Sequence, residues 1–200
     1  LVFGMPTDED FAFTNDYATS IAQRGKIEHY ARLGRALPAG WVIDELGRAR
    51  TDAAGVLEDL VAGRAALAPL GGIGEELGGY KGYGYATVVE ILSSALQQGA
   101  FLRRLSGFEG GRRVPYRLGH FFMAVDIAAF CAVEDFKRAA GDLLRELRVS
   151  RRAPGAERIY TCGEKEHLAW LERREKGVPL TPVTQAELAA VAREVGIAAP

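Results

Sequence analysis

The sequence predicts an α/β protein of α+β character, with short strands separated by helices, and three observations carry that expectation. Apolar residues recur at helical spacing, most plainly Val88, Val89, Ile91, Leu92, Ala95 and Leu96. Short apolar runs rich in Val, Phe and Ile, such as Leu1–Met5 and Leu118–Val125, interrupt the helical stretches. Ser or Thr followed three residues later by Gln or Glu recurs at Ser20/Gln23, Thr161/Glu164 and Thr184/Glu187, the spacing of a capping box at a helix start.

Taken in order, Leu1–Met5 and Phe11–Thr14 read as two strands joined by the acidic turn Pro6–Asp10. A helix is expected from Ile21 to Leu33, capped by Ser20 and ended by Gly34 and Pro38. Leu37–Leu60 reads as loop, with Trp41–Ile43 as a short strand and Asp44–Gly47 as a turn. A glycine-rich stretch, Pro69–Gly74 and Gly78–Gly84, leads into a helix that ends near Gly99. Arg103–Pro115 is an irregular connection, Leu118–Val125 a buried strand and Ala128–Arg148 a helix. Arg158–Tyr160 is strand-like, and two helices follow, one from the Thr161/Glu164 box to Lys176 and one ended by Gly196.

The 200 residues suffice for one or two domains with a substantial core. Lys and Arg total 25 against 26 Asp and Glu, so no global basic field recommends nucleic acid or an anionic membrane as partner. The pairs Arg103-Arg104, Arg112-Arg113 and Arg151-Arg152 read as solvated faces. Two cysteines without metal spacing point to a reduced, cytoplasmic setting rather than a disulfide framework. The longest apolar tract, Phe121–Val133, is broken by Asp126 and too short to span a bilayer, and no signal peptide is visible. The apolar opening at Leu1 reads as an entry in mid-domain.

The chemistry concentrates in four places. Gly78-Gly79-Tyr80-Lys81-Gly82-Tyr83-Gly84 combines tight backbone, a helix start and one cation, the chemistry of a phosphate cradle. Lys81 is followed by glycine rather than Ser or Thr, so this is no Walker A loop, and Gly72-Ile73-Gly74 is no Rossmann fingerprint. Close packing of a helix accounts for the glycines equally well, and both explanations stay open at this point. Asp16–Ser20 offers a carboxylate and hydroxyls that suit ribose or pyrophosphate, or else ordinary capping. His120 on an apolar segment is an acid–base, a substrate donor or, most ordinarily, a core histidine. Glu164 and Glu166 open a helix, where capping and the helix dipole explain Glu164 without a ligand. No histidine pair has metal-ligand spacing, and no metal is expected.

Taken together, the blocks resemble one family. Asp16-Tyr17-Ala18-Thr19-Ser20 with Gly25-Lys26-Ile27, Pro69-Leu70-Gly71-Gly72 with Tyr80-Lys81-Gly82-Tyr83-Gly84 and Glu90-Ile91-Leu92, Gly119-His120-Phe121-Phe122 with Asp126, and Gly163-Glu164-Lys165-Glu166 with Gly177-Val178-Pro179-Leu180 are similar, in the same order, to motifs of the type-2 malate/L-lactate dehydrogenases. Relatives within that family include ureidoglycolate, sulfolactate and diketogulonate dehydrogenases. The resemblance implies hydride transfer between NAD or NADP and a 2-hydroxy or 2-oxo acid, and a non-classical dinucleotide-binding fold with a largely antiparallel mixed sheet and flanking helices. It also implies a homodimer.

Carried over by position, Asp16, Ala18, Thr19, Ser20, Tyr80, Lys81, Gly163, Glu164 and Lys165 would line the cofactor site, and His120 and Arg117 would lie near the active site without an assigned chemical step. Cys162 stands where the family usually has proline or alanine. The family's Ser-His-Gly motif is not found in these residues, so the acid–base groups are expected upstream and the chain is expected to be the C-terminal portion of a longer enzyme. Residues 1–150 would then be cofactor-binding, and 151–200 a helical segment packing on an N-terminal domain. The alternative is a non-catalytic nucleotide- or anion-binding domain.

Overall fold

The computed structural model describes residues 1–198, which form two compact units. One comprises Leu1 and Tyr17–Val125, and the other Val2–Asp16 with the chain from Asp126 onward. All described sheets are small and antiparallel.

In the first unit, α1 (Arg24–Arg32) and α2 (Ala53–Ala62) cover a three-stranded sheet of order β4-β3-β5, where β3 is Val42–Asp44, β4 Ala49–Arg50 and β5 Ala65–Leu67. The core is built from Ile27, Leu37, Val42, Ala53 and Val56, with Trp41 edge-on to Tyr30 at 5.3 Å. The expected loop over Leu37–Leu60 therefore contains the start of a helix. Its signals are a cap at each end: Asp52 accepts from the Gly55 amide at 3.1 Å, and Gly63 adopts a left-handed φ of 73°.

The helix α1 corrects a second expectation. It begins at Arg24 rather than Ile21, because Ser20 donates instead to the Ala22 carbonyl at 2.8 Å and Ile21 pairs with the Ala68 carbonyl at 2.9 Å. The chain at 19–21 is thus held as an edge against 68–70, and the Ser20/Gln23 box does not form. Then α3 (Gly79–Ser93) follows, with a short 3-10 turn over Ala95–Gln97. Most of the glycine–lysine stretch lies inside the first turns of α3 rather than in a loop before it. Beyond a 3-10 turn at Leu102–Ser106, the irregular connection holds a hairpin, β6 (Phe108–Glu109) with β7 (Arg112–Arg113).

The expected buried strand Leu118–Val125 is neither buried nor a strand. It pairs with no described strand, and Phe122 is 89% exposed. A run apolar on both faces is the pattern of an interior strand, yet a strand forms only where a neighbouring edge accepts it.

The second unit holds the hairpin of β1 (Val2–Met5) and β2 (Phe13–Asp16), in register Val2↔Asp16, which contacts α4 (Val133–Val149) and the turn before α5 (Glu164–Lys176), and it also contains α6 (Pro182–Val195). Ion pairs hold the hairpin turn: Arg145 grips Asp8 with two bonds of 3.0 Å, and Arg148 pairs with Glu9. A side chain at Gly141 would collide with Asp8, so the glycine lets the turn lie on α4. The helix α4 starts at Val133, after a 3-10 turn at Ile127–Ala129, rather than at Ala128. Arg158–Tyr160 has no strand partner. The cap of α6 is Thr181, which accepts from the Thr184 amide at 3.2 Å, ahead of a proline at the first helical position; the Thr184/Glu187 box is not used.

Candidate functional site

The first unit joins two of the motif blocks through one turn. Leu70 donates to the Thr19 carbonyl at 2.9 Å, and Ile21 to the Ala68 carbonyl, so Thr19–Ile21 runs alongside Ala68–Leu70. That turn lies directly on the start of α3. A Cβ at Gly79 would meet the Gly72 carbonyl, and one at Gly82 the Leu70 backbone. Gly71 and Gly72 themselves require left-handed φ values of 91° and 93°. Gly71, Gly79 and Gly82 serve backbone-on-backbone packing, whereas Gly72 faces the Leu77 side chain, and the Gly79 amide is taken by the Gly74 carbonyl at 3.1 Å.

The packing leaves the side chain of Lys81 on the outside. It is exposed, its Nζ lies 5.7 Å from the centre of the Tyr80 ring, and it makes no ion pair among the described residues. A free ammonium in the first turn of a 15-residue helix, where the partial positive end of the helix adds to it, suits a phosphate. Gly84 has open space where its side chain would be. The fit of a nucleotide phosphate to this turn therefore rests on Lys81 more than on the glycine amides.

His120 sits elsewhere. Gly119 abuts the Ser93 carbonyl, and Gln97 donates from Nε2 to the His120 carbonyl, so this segment docks at the C-terminal end of α3. Twelve helical positions separate Lys81 from Ser93, about 18 Å along the axis. The imidazole is exposed and stacks on Phe122 at 6.2 Å. Arg117 is exposed, has φ 48°, and its carbonyl accepts from Ala100 at 3.3 Å. The structure does not bring these two residues to Lys81.

In the second unit, β2 ends at Asp16, whose side chain is exposed, and Thr14 donates to the Cys162 carbonyl at 3.3 Å. Gly163, at φ 92°, packs against the Ala12 carbonyl, so the turn before α5 lies on β2. Half of the capping box forms there: the Thr161 amide donates to Glu164 Oε2 at 3.0 Å, while Gly163 is the cap residue. The Glu164 side chain is only 5% exposed and is shared among Thr161, Arg158 and Arg148. Burial pushes this carboxyl up, but the Thr161 amide, Arg158 and Arg148 outweigh it, and it titrates below its ordinary value. Glu164 is thus engaged with its own turn, whereas Lys165 is exposed, its Nζ 4.8 Å from the Tyr160 ring centre. Sequence inspection missed Arg148 and Glu9 as the groups that hold this turn. No sequence signal marks them, because their pairing spans 139 positions.

No group of three or more His, Cys, Asp or Glu among the described residues could hold a metal ion. No described helix is long and apolar enough to cross a membrane.

Small antiparallel sheets flanked by helices, with a lysine turn in place of a glycine fingerprint, define an α/β protein outside the doubly wound dinucleotide folds. The chain belongs to the malate/L-lactate dehydrogenase family, which it matches over residues 1–189. It is 38% identical over 198 residues to a malate dehydrogenase of Pyrococcus horikoshii, covering 98% of this chain and 52% of that protein. An L-sulfolactate dehydrogenase of Methanocaldococcus jannaschii is 29% identical over 195 residues, covering 94% of this chain and 49% of that one. Among solved structures, malate dehydrogenase from Entamoeba histolytica superimposes with a TM-score of 0.92 at 36% identity, covering 100% of this chain and 55% of that chain. The chain thus spans about half the length of the relatives it matches.

Proposed function

We propose that the chain is the cofactor-binding part of an oxidoreductase that moves a hydride between NAD or NADP and a 2-hydroxy acid such as malate or L-lactate. The observation that carries this is the family match over residues 1–189, together with the unpaired Lys81 ammonium at the start of α3. A bound nicotinamide would supply the hydride donor or acceptor at its ring. Lys81 would neutralise cofactor phosphate, and Thr19, on the adjoining segment with Ser20, would offer it a hydroxyl. Asp16 would accept from ribose hydroxyls, and Gly163 and Lys165 would close on the cofactor. The Glu164 carboxylate, fixed by Arg148, Arg158 and Thr161, would keep that turn in shape rather than touch the ligand.

The proton accompanying the hydride would be handled by groups outside these residues. His29, His120 and His167 make no side-chain hydrogen bond to a carboxylate or hydroxyl partner in the described structure. The same observation favours the alternative, a non-catalytic domain that binds a nucleotide or another anion. A homodimer working in the cytoplasm accords with the family reading.

The complete protein, supplied with NAD+ or NADP+, is expected to form reduced nicotinamide with at least one of L-malate, L-lactate, sulfolactate or ureidoglycolate. Bound cofactor without turnover on any of these acids would favour the non-catalytic domain instead.

A further inference from the structure

Between Ala100 and Arg117 the chain of the first unit makes an excursion and returns to its starting point. The Ala100 amide donates to the Arg117 carbonyl at 3.3 Å, and the Gly99 amide to the Ser94 carbonyl at 2.9 Å, which ties the base to the end of α3 opposite Lys81. Within the excursion, the 3-10 turn at Leu102–Ser106 leads into the β6–β7 hairpin, which Val114 closes by donating to the Gly107 carbonyl at 2.8 Å. The Tyr116 ring lies against Gly107, where a side chain would collide with it. The loop thus has a framework of its own, like other compact surface loops that carry function.

Its charge is unlike that of the rest of the chain. Residues 101–117 hold five arginines and one glutamate, whereas the whole chain is close to neutral. Arg103, Arg104, Arg112, Arg113 and Arg117 are all exposed, and none makes an ion pair among the described residues. Glu109 stands opposite Arg112 in the hairpin register, and Glu90 accepts from the Leu102 amide at 3.4 Å. Like charges gathered on one loop repel each other, and an anion bound from outside relieves that repulsion.

Aromatic rings are interleaved with these cations. Arg104 lies over the Phe101 ring at 4.5 Å, and Phe108 stands opposite Arg113 in the hairpin, on the same face of the ribbon. Phe108 is 61% and Tyr116 54% exposed. An element that lies on a membrane separates its apolar face from its cationic one, whereas here ring and guanidinium share a face. Open rings beside guanidinium groups suit a single strand of nucleic acid, whose bases stack on the rings while arginine forks the phosphates. We propose that the 101–117 excursion is a docking surface for single-stranded nucleic acid, with Phe108 stacking on a base and Arg103, Arg104, Arg112 and Arg113 contacting phosphates. This is a second activity, independent of the dehydrogenase reading and set at the other end of α3 from Lys81.

The test titrates the complete protein into a dye-labelled oligonucleotide of about twelve nucleotides, made as RNA and as DNA, and follows its anisotropy. Inorganic polyphosphate and vesicles of phosphatidylserine with phosphatidylcholine are the comparison anions. At least one oligonucleotide should bind, with a slope of log K against log salt of roughly −3, as four neutralised phosphates give. Arg112→Glu/Arg113→Glu should weaken binding at least about 10-fold and flatten the slope by about 1.4. Arg103→Ala/Arg104→Ala, on the other arm of the excursion, should act in the same direction. Phe108→Ala should weaken oligonucleotide binding about 10-fold and leave polyphosphate binding unchanged. All of these positions are exposed, and an unchanged circular dichroism spectrum confirms folding. Saturating NADH or NADPH should not displace the oligonucleotide. Binding of neither oligonucleotide, binding indifferent to both arginine pairs or to Phe108→Ala, or displacement by a dinucleotide overturns the proposal. Vesicle binding without oligonucleotide binding overturns it too and gives the surface to a membrane. None of these results bears on whether the protein oxidises a 2-hydroxy acid.

Discussion

At the scale of single residues, the glycine–lysine turn separates into two jobs that look alike in the sequence. Gly79 and Gly82 allow the Pro69–Gly72 turn to lie on the start of α3, while Lys81 is left free and Gly84 touches nothing. The two helical glycines Gly82 and Gly84 should therefore respond oppositely to alanine. Gly84→Ala should stabilise the protein by about 0.5–1 kcal/mol, the ordinary helix gain. Gly82→Ala, for all the same gain, should lose about 1–3 kcal/mol net, because the Leu70 backbone has no room for a methyl group. Thermal denaturation of the two variants decides it. Lys81→Ala should leave the melting temperature almost unchanged, since the side chain is exposed and unpaired, and weaken cofactor binding roughly 10-fold or more. Lys81 was legible from the sequence as a cation at a helix start. Which glycines pack and which are open was not, because that depends on a turn ten residues away.

At the scale of elements, the second unit holds its hairpin by charge more than by apolar burial. Arg145 with Asp8, Arg148 with Glu9, and Arg148 and Arg158 with Glu164 link the β1–β2 turn, α4 and the start of α5. Glu164→Gln should cost about 2 kcal/mol, as the two arginines lose a buried counter-charge. The carboxyl's pKa is depressed by folding, so its contribution is present above the ordinary value of 4.5 and is lost as pH falls through the lower folded value. Asp8, held low by its bonds to Arg145, titrates in the same sense. Equilibrium denaturation of the native protein should therefore show stability falling below about pH 4.5, with a shallower fall in Glu164→Gln. Equal slopes in the two proteins would contradict this role. Element ends show where local signals sufficed and where they did not: the stop at Gly196 follows from the sequence as expected, whereas the left-handed Gly63 ends a helix that had read as loop, and Thr181 takes the cap expected of Thr184. The Ser20/Gln23 box failed because Ser20 and Ile21 were drawn into pairing with the 68–69 edge, and Leu118–Val125 failed because strand formation needs an edge that the described residues do not offer.

At the scale of the whole molecule, the order of four motif blocks made the family legible, while composition and charge only excluded other classes. Two features resisted. The compact units divide the chain at Asp16/Tyr17 and Val125/Asp126, where no change in composition marks a boundary. The ion-pair network also joins residues too distant in sequence for any local pattern to connect. The central claim, that this chain carries the nicotinamide-cofactor site of a 2-hydroxy acid dehydrogenase, is tested most directly by titrating the complete protein with NADH and with NADPH while following nicotinamide fluorescence. The account predicts a saturable change with at least one of them, shifted to roughly 10-fold or higher concentration by Lys81→Ala. No change with either dinucleotide, or binding indifferent to the loss of Lys81, would contradict it.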